Sequence, residues 1–178
     1  VWQCESTDQA DAILDGVQPG FVYQRESHPN ASQFAKVCRT LHKAKHATIT
    51  SSGMAALSLA VLSQLEQGDH VVVCNRLYGR SIALLSSELQ RLAIQHSLVD
   101  SCDLQAVEDA MADNTRLIVA ETISNPMLRI ADIKALAEIA HARDAQLLID
   151  NTFATPIVCQ PTELGADLVL ESVSKFMN

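Results

Sequence analysis

The stretch Gln146-Leu147-Leu148-Ile149-Asp150-Asn151-Thr152-Phe153-Ala154-Thr155-Pro156 decides how the rest of the chain is read. Its first four residues form a short apolar run of the kind that fills a buried strand, and an acid closes the run. Upstream, residues 130–143 carry helical periodicity, and downstream Asp167–Leu170 reads as another strand. A strand flanked in this way belongs to a sheet with crossover helices.

The same alternation extends towards the N-terminus. Strands are expected at 47–50, 70–74, 94–99 and 116–120, with helices over 31–45, 54–65, 81–92 and 104–111. Helix 54–65 is apolar nearly all round, as a helix packed on a sheet should be. The fold class expected is therefore α/β, a mainly parallel sheet flanked by helices on both faces. Before it, an amphipathic segment at 8–14 leads into a stretch interrupted by Gly16, Pro19, Gly20 and Pro29. We read residues 1–30 as an N-terminal arm and 31–178 as one domain.

Bulk properties exclude several classes of partner. The 178 residues include 13 basic and 21 acidic side chains, a formal charge of −8, and no basic tract suited to a phosphate backbone, so neither nucleic acid nor anionic membrane is expected. No apolar run approaches the roughly 20 residues of a membrane span, and no secretory leader is recognisable. Cys4, Cys38, Cys74, Cys102 and Cys159 are scattered without zinc-ligand spacing; no metal is expected, and most should be buried thiols of a cytoplasmic protein. The start at Val1 and the stop soon after Lys175 suggest part of a longer chain.

In parallel sheets ligands gather at the carboxyl ends of strands. Five motifs are expected there. Ser51-Ser52-Gly53-Met54 opens a helix, where free amides favour a phosphate and the glycine allows close approach. Tyr78-Gly79 places an aromatic ring after strand 70–74. Glu121-Thr122-Ile123-Ser124-Asn125-Pro126 puts an amide after strand 116–120. Asp150 is a desolvated carboxylate that requires a cation or several donors. In Glu171-Ser172-Val173-Ser174-Lys175-Phe176, serine hydroxyls flank a lysine whose burial should lower its pKa. Each motif alone has an ordinary explanation as a cap, a turn or a surface residue. Together they are the parts that pyridoxal phosphate (PLP) needs: an amine for a Schiff base, hydroxyls and amides for the phosphate, and a carboxylate for the pyridinium nitrogen.

The motifs Tyr23-Gln24-Arg25, Ser52 to Ala56, Tyr78-Gly79, Glu121 to Pro126, Asp150 to Pro156 and Ser172 to Phe176 resemble the Cys/Met-metabolism enzymes of transsulfuration, including cystathionine γ-synthases and γ-lyases. These belong to fold type I of the PLP enzymes, and the resemblance covers nearly the whole chain. It implies Lys175 as the Schiff-base lysine, Asp150 on the pyridinium nitrogen, and Tyr78 stacked on the ring and assisting catalysis. It further implies Gly53, Met54, Ser172 and Ser174 at the phosphate and Asn125 at the phenolic oxygen. Tyr23 and Arg25 would reach the phosphate of a neighbouring subunit, which makes a homodimer or homotetramer with shared sites. The chain departs from the family at Ser174, Phe176 and Ile123, where threonine, tyrosine and proline are frequent. The resemblance further implies that the large domain is incomplete at its C-terminal end here, and that a small domain with the substrate-binding arginine is missing from this stretch.

The implied activity is β- or γ-elimination, or γ-replacement, on sulfur amino acids or activated homoserine by a lyase or transferase. The excerpt alone is expected to be inactive. The alternatives are another fold type I enzyme, such as an aminotransferase, and a non-catalytic fragment that retains only the fold. Hydrolase and dinucleotide readings fail because neither GxSxG nor GxGxxG occurs.

Overall fold

The computed structural model describes residues 1–177. They form two compact units, Val1–Ile49 and a second from Thr50 onward. The first contains α1 (Thr7–Leu14), capped by the Ser6 hydroxyl on the Gln9 amide, and α2 (Pro29–Leu41) with proline in its first turn. Ahead of α1, Trp2 packs its ring against Phe21 and His28, which lie in sequence between the two helices.

The second unit alternates α3 (Gly53–Gln64), β1 (His70–Cys74), α4 (Gly79–Ala83), β2 (Gln95–Val99), α5 (Leu104–Asp109), β3 (Thr115–Glu121), α6 (Ile133–His141), β4 (Gln146–Asp150), α7 (Thr155–Val158) and β5 (Leu168–Leu170). The strands form one sheet in the order β2-β1-β3-β4-β5, and every pair is parallel. Because side chains alternate along a strand, the sheet separates two cores. Val72, Ile118, Leu147 and Ile149 pack with Val107 of α5 and Ile133, Leu136, Ala137 and Ala140 of α6. On the other face Val71, Val73, Leu117, Val119 and Leu148 pack with Leu57 and Val61 of α3 and with Leu85 and Leu89. Burial on both faces explains why these strands read as unbroken apolar runs.

Three expectations need correction. Residues 47–50 form no strand: Ile49 is exposed, no ladder partner is present among the described residues, and the Thr50 hydroxyl donates instead to the Ser52 carbonyl, turning the chain into α3. The helix expected over 81–92 is broken into α4, a π-helical turn at Leu84–Glu88 and a 3-10 turn at Leu89–Leu92, which ends on Ala93 in the left-handed region (φ 56°). Within it the Ser86 hydroxyl donates to the Ile82 carbonyl, a local bond that competes with regular helix. Finally, of the five cysteines only Cys74 is buried, and Cys102 is exposed. Burial pushes the Cys74 thiol up to about 12. Among the described residues no helix is long and apolar enough to cross a membrane.

At the amino ends of the strands, His70 is 5% exposed, with Nδ1 2.7 Å from the Thr115 hydroxyl and Nε2 3.0 Å from the Ser97 hydroxyl. Burial, and secondarily the charge of His96, lowers its pKa below 6.5. Its contribution to stability is therefore complete above pH 6.5, the unfolded value, and is lost as pH falls from there through the folded one. Urea midpoints should fall with acidification below pH 6.5, and less steeply in His70→Gln. Equal slopes for the two proteins would show that His70 does not couple to folding.

Candidate active site

Among the described strands the order reverses direction between β1 and β3, and in open parallel sheets the crevice at such a point receives ligands. Tyr78 follows β1 and is 58% exposed at the start of α4. Glu121 closes β3, and Asp150 closes β4 in direct register with it. After β5 the chain runs into Ser172, Ser174 and Lys175.

A buried amide holds the ends of β3, β4 and β5 together. Asn151, 0% exposed, accepts the Thr122 hydroxyl at 2.7 Å, and its Nδ2 donates to the Glu171 carboxylate at 3.0 Å and the Cys159 carbonyl at 3.1 Å. Its backbone N–H donates to the Leu170 carbonyl. Beside it the buried Thr152 accepts the Ser172 amide on its hydroxyl at 2.9 Å. So the segment carrying the serines and the lysine is tied directly to the end of β4.

On the other side of that segment stands the N-terminus of α3. The Ser52 hydroxyl accepts the Ala55 amide at 3.1 Å and the Ser52 carbonyl accepts the Ala56 amide. The amides of Gly53 and Met54 stand ahead of this cap, at the positive end of a twelve-residue helix. A Cβ on Gly53 would lie 2.9 Å from Cβ of Ser172, so only glycine allows this approach. Ser172 Oγ lies 3.0 Å from Ser174 Oγ, and Lys175 Nζ lies 3.4 Å from Ser174 Oγ. Helix amides, two hydroxyls and an ammonium thus converge on one place, which suits a phosphate.

The acids of this site lack sufficient counter-charge. Asp150 is partly buried, and burial raises its pKa, with the Glu171 charge adding to the effect. The Thr152 hydroxyl and amide, the latter 3.0 Å from Oδ1, and the Lys175 ammonium pull it back. Glu121 is 6% exposed, and its Oε2 has no hydrogen-bond partner among the described residues. Burial first, and then the neighbouring Asp150 charge, lifts Glu121 to about 8, while the Tyr78 backbone N–H opposes the shift. Carboxyls crowded in this way are relieved by a cation such as a protonated pyridine nitrogen. The donor set and the carboxylates therefore fit PLP.

The remaining expected residues are placed differently. Lys175 is exposed, so the burial expected of it is not observed; it lies in a turn after the short β5 rather than inside the sheet. Asn125 is exposed in a loop held by Ser124, whose hydroxyl accepts the Arg129 amide and whose carbonyl accepts the Leu128 amide. Tyr23 and Arg25 belong to the first unit, where the Arg25 guanidinium lies 5.1 Å from the Tyr23 ring centroid and 3.3 Å from the Glu26 carboxylate. Glu121, Asn151 and Thr152 were not expected as site residues. The signal for Glu121 was the one that singled out Asp150, an acid closing an apolar run.

Comparison with known proteins decides the family. The sequence profile described as "Cys/Met metabolism PLP-dependent enzyme" matches residues 2–178. The chain belongs to this family. It is 36% identical to an L-methionine gamma-lyase of Porphyromonas gingivalis over 98% of its own length and 44% of the relative's. It is 41% identical to an O-succinylhomoserine sulfhydrylase of Pseudomonas aeruginosa, covering 95% of this chain and 42% of that one. A Campylobacter jejuni structure assigned as an O-acetylhomoserine (thiol)-lyase superposes with a TM-score of 0.92 at 32% identity, over 98% of this chain and 43% of that one. It carries an N'-pyridoxyl-lysine-5'-monophosphate. This member of the Cys/Met family thus has the fold type I sheet, and it spans less than half the length of the relatives it matches.

The raised pKa of Glu121 predicts a pH dependence of the cofactor-free protein. The stability linked to this group is complete below about pH 4.5, the unfolded value, and is lost as pH rises through about 8. Glu121→Gln should remove that loss, making the variant the more stable protein at pH 8–9 by on the order of a few kcal/mol. Denaturant melts at pH 5 and pH 9 test this, and an unchanged pH slope in the variant would refute it.

Proposed function

We propose that this chain forms the PLP-binding part of an enzyme that carries out β- or γ-elimination, or γ-replacement, on sulfur amino acids or activated homoserine. The observation that carries the reading is the meeting of the Gly53 and Met54 amides, the Ser172 and Ser174 hydroxyls and the Lys175 ammonium beside Asp150. The relatives' names supply the substrate class: a methionine gamma-lyase, a succinylhomoserine sulfhydrylase and a cystathionine gamma-synthase all act at the γ-carbon.

In this reading Gly53, Met54, Ser172 and Ser174 hold the phosphate, Asp150 keeps the pyridine nitrogen protonated, and Asn125 binds the phenolic oxygen. Tyr78 covers the ring. Bound there, PLP supplies an electron sink for the carbanion formed beside the substrate's amino group. The Lys175 amine carries the cofactor between turnovers, and during them Nζ moves the α-proton of the substrate. The Tyr78 hydroxyl assists proton transfer to the leaving group.

The protein acts in the cytoplasm as a homodimer or homotetramer. Five free cysteines support a reducing compartment. The arm containing Tyr23 and Arg25 serves the phosphate of a neighbouring subunit; its exposed Arg25, paired among the described residues with the adjacent, also exposed Glu26, supports an anionic partner elsewhere.

Two experiments test this. After incubation of the full-length protein with PLP and reduction with borohydride, the label should be recovered on the peptide containing Lys175. Label on another lysine would overturn the assignment. For the shared site, Arg25→Ala and Lys175→Ala proteins should each be inactive, and mixed subunits should regain part of the activity because one site of each heterodimer has both groups. Absence of recovery in demonstrated heterodimers would rule out sharing.

A further inference from the structure

The first compact unit, Val1–Ile49, has two helices and no buried apolar side chain. Neither α1 nor α2 contains a buried residue, and among the described residues the buried apolar side chains begin at Leu57. Leu14 of α1 and Val37 of α2 are exposed. Helices of eight and thirteen residues are marginal in water unless an amphipathic face is packed. These two therefore need a surface to lie on, and their charges say of what kind.

Residues 1–24 carry four acids, Glu5, Asp8, Asp11 and Asp15, and no lysine or arginine. Residues 27–49 carry Lys36, Arg39, Lys43 and Lys45, and no acid. Helical spacing sorts these charges onto faces. Asp8, Asp11 and Asp15 are three and four residues apart, so all three project from one exposed side of α1 and its C-cap. Lys36 and Arg39, three apart, share one exposed side of α2. The pairs Asp8–Asp11 and Lys36–Arg39 have the same separation, about 4.5 Å along a helix axis, so one pair can lie against the other in register. Neither face is satisfied within the chain: among the described residues none of these five groups takes part in an ion pair. Like charges at this spacing repel. Asp11 and Asp15 also stand towards the negative end of α1, whose last turn holds no cation. On α2 the helix dipole accounts for Arg39, in the last turn, but not for Lys36 ahead of it.

We propose that the acidic face of α1 docks on the basic face of α2 in a second copy of this chain. Each copy presents both complementary faces, so a two-fold pair makes the contact twice and satisfies all of them. A foreign acidic or basic partner would satisfy one face and leave the other. Exposed ion pairs add little affinity, but they fix register and speed encounter, while burial of neighbours such as Leu14 and Val37 supplies the hydrophobic part. The contact needs no cofactor. It goes beyond the shared phosphate proposed above, because it places α2, which follows the segment with Tyr23 and Arg25, in the interface.

The test uses the full-length protein and reversal of charge. One variant carries Asp8→Lys with Asp11→Lys, the other Lys36→Glu with Arg39→Glu, and circular dichroism controls for folding. Subunit dissociation is followed by the loss of energy transfer between differently labelled copies on dilution. The unaltered protein should dissociate several-fold faster at about 0.5 M than at about 0.05 M salt, because exposed charges are screened over that range. At low salt each variant alone should dissociate at least about tenfold faster than the unaltered protein, since both contacts turn repulsive. Mixed, the two variants should form pairs that dissociate within about threefold of the unaltered rate, because every α1 then meets an α2 of opposite charge. Recovery when all four reversals share one chain, without recovery in the mixture, would show pairing within a chain and overturn the proposal. Variants that dissociate at the unaltered rate, or an unaltered protein that is monomeric, would overturn it too. Should a reversed variant not fold, Asp8→Asn with Asp11→Asn and Lys36→Gln with Arg39→Gln replace it: each should lose most of the salt dependence, and salt dependence equal to that of the unaltered protein would overturn the proposal. Association is read without PLP, so a protein that takes up no PLP would remove the proposed function and leave this contact standing.

Discussion

The amide of Asn151 is fully buried, and a buried amide must find partners for its donors and its acceptor. It finds them in the residues that follow three different strands: Thr122 after β3, Cys159 beyond β4 and Glu171 after β5. With the Thr152 hydroxyl on the Ser172 amide, these bonds decide where the polypeptide goes once it leaves the sheet. The positions of Ser172, Ser174 and Lys175 follow from that constraint. Through Ser172, so does the close approach of Gly53, since the N-terminus of α3 can come near only if the serine segment is held in place and position 53 lacks a Cβ.

Electrostatics makes the same region reactive. Parallel strands deliver their carboxyl ends side by side, so the acids closing β3 and β4 are brought into register about a strand's width apart. Burial first, and then the neighbouring Asp150 charge, lifts the Glu121 carboxyl to about 8. Lys175 offsets part of the charge from across the site. The arrangement is costly without a cationic ligand and is relieved by one, the energetic pattern expected where binding strength is set by the protein's own unfavourable charges.

The sheet was largely legible in the amino-acid sequence because its strands are covered on both faces. Strand β1 was expected at the residues observed, and β3 and β4 within one residue at each end, since a continuous apolar run bounded by polar residues leaves little room for other readings. Residues 47–50 show the limit: Thr48-Ile49-Thr50 has strand propensity, but propensity without a neighbouring strand makes no ladder. The interrupted helix after Tyr78 shows another, because the Ser86 hydroxyl's bond to Ile82 and the left-handed Ala93 depend on how the segment packs on β1 and α3.

The site divides along the same line. Residue identity and spacing alone carry the chemical inventory: an acid ending an apolar run at Asp150, a glycine at a helix start, hydroxyls before a lysine, and an order along the chain that matches one family. Those features are local, and local chemistry is what a sequence states directly. Which of these groups share one space emerges with folding. That Gly53 lies on Ser172, that Asp150 has Glu121 as its register partner, that Asn151 ties three strand ends, and that Lys175 is exposed are matters of strand order and of the turns between strands. They arise from pairing between residues tens of positions apart, and no short window of sequence contains both members of such a pair.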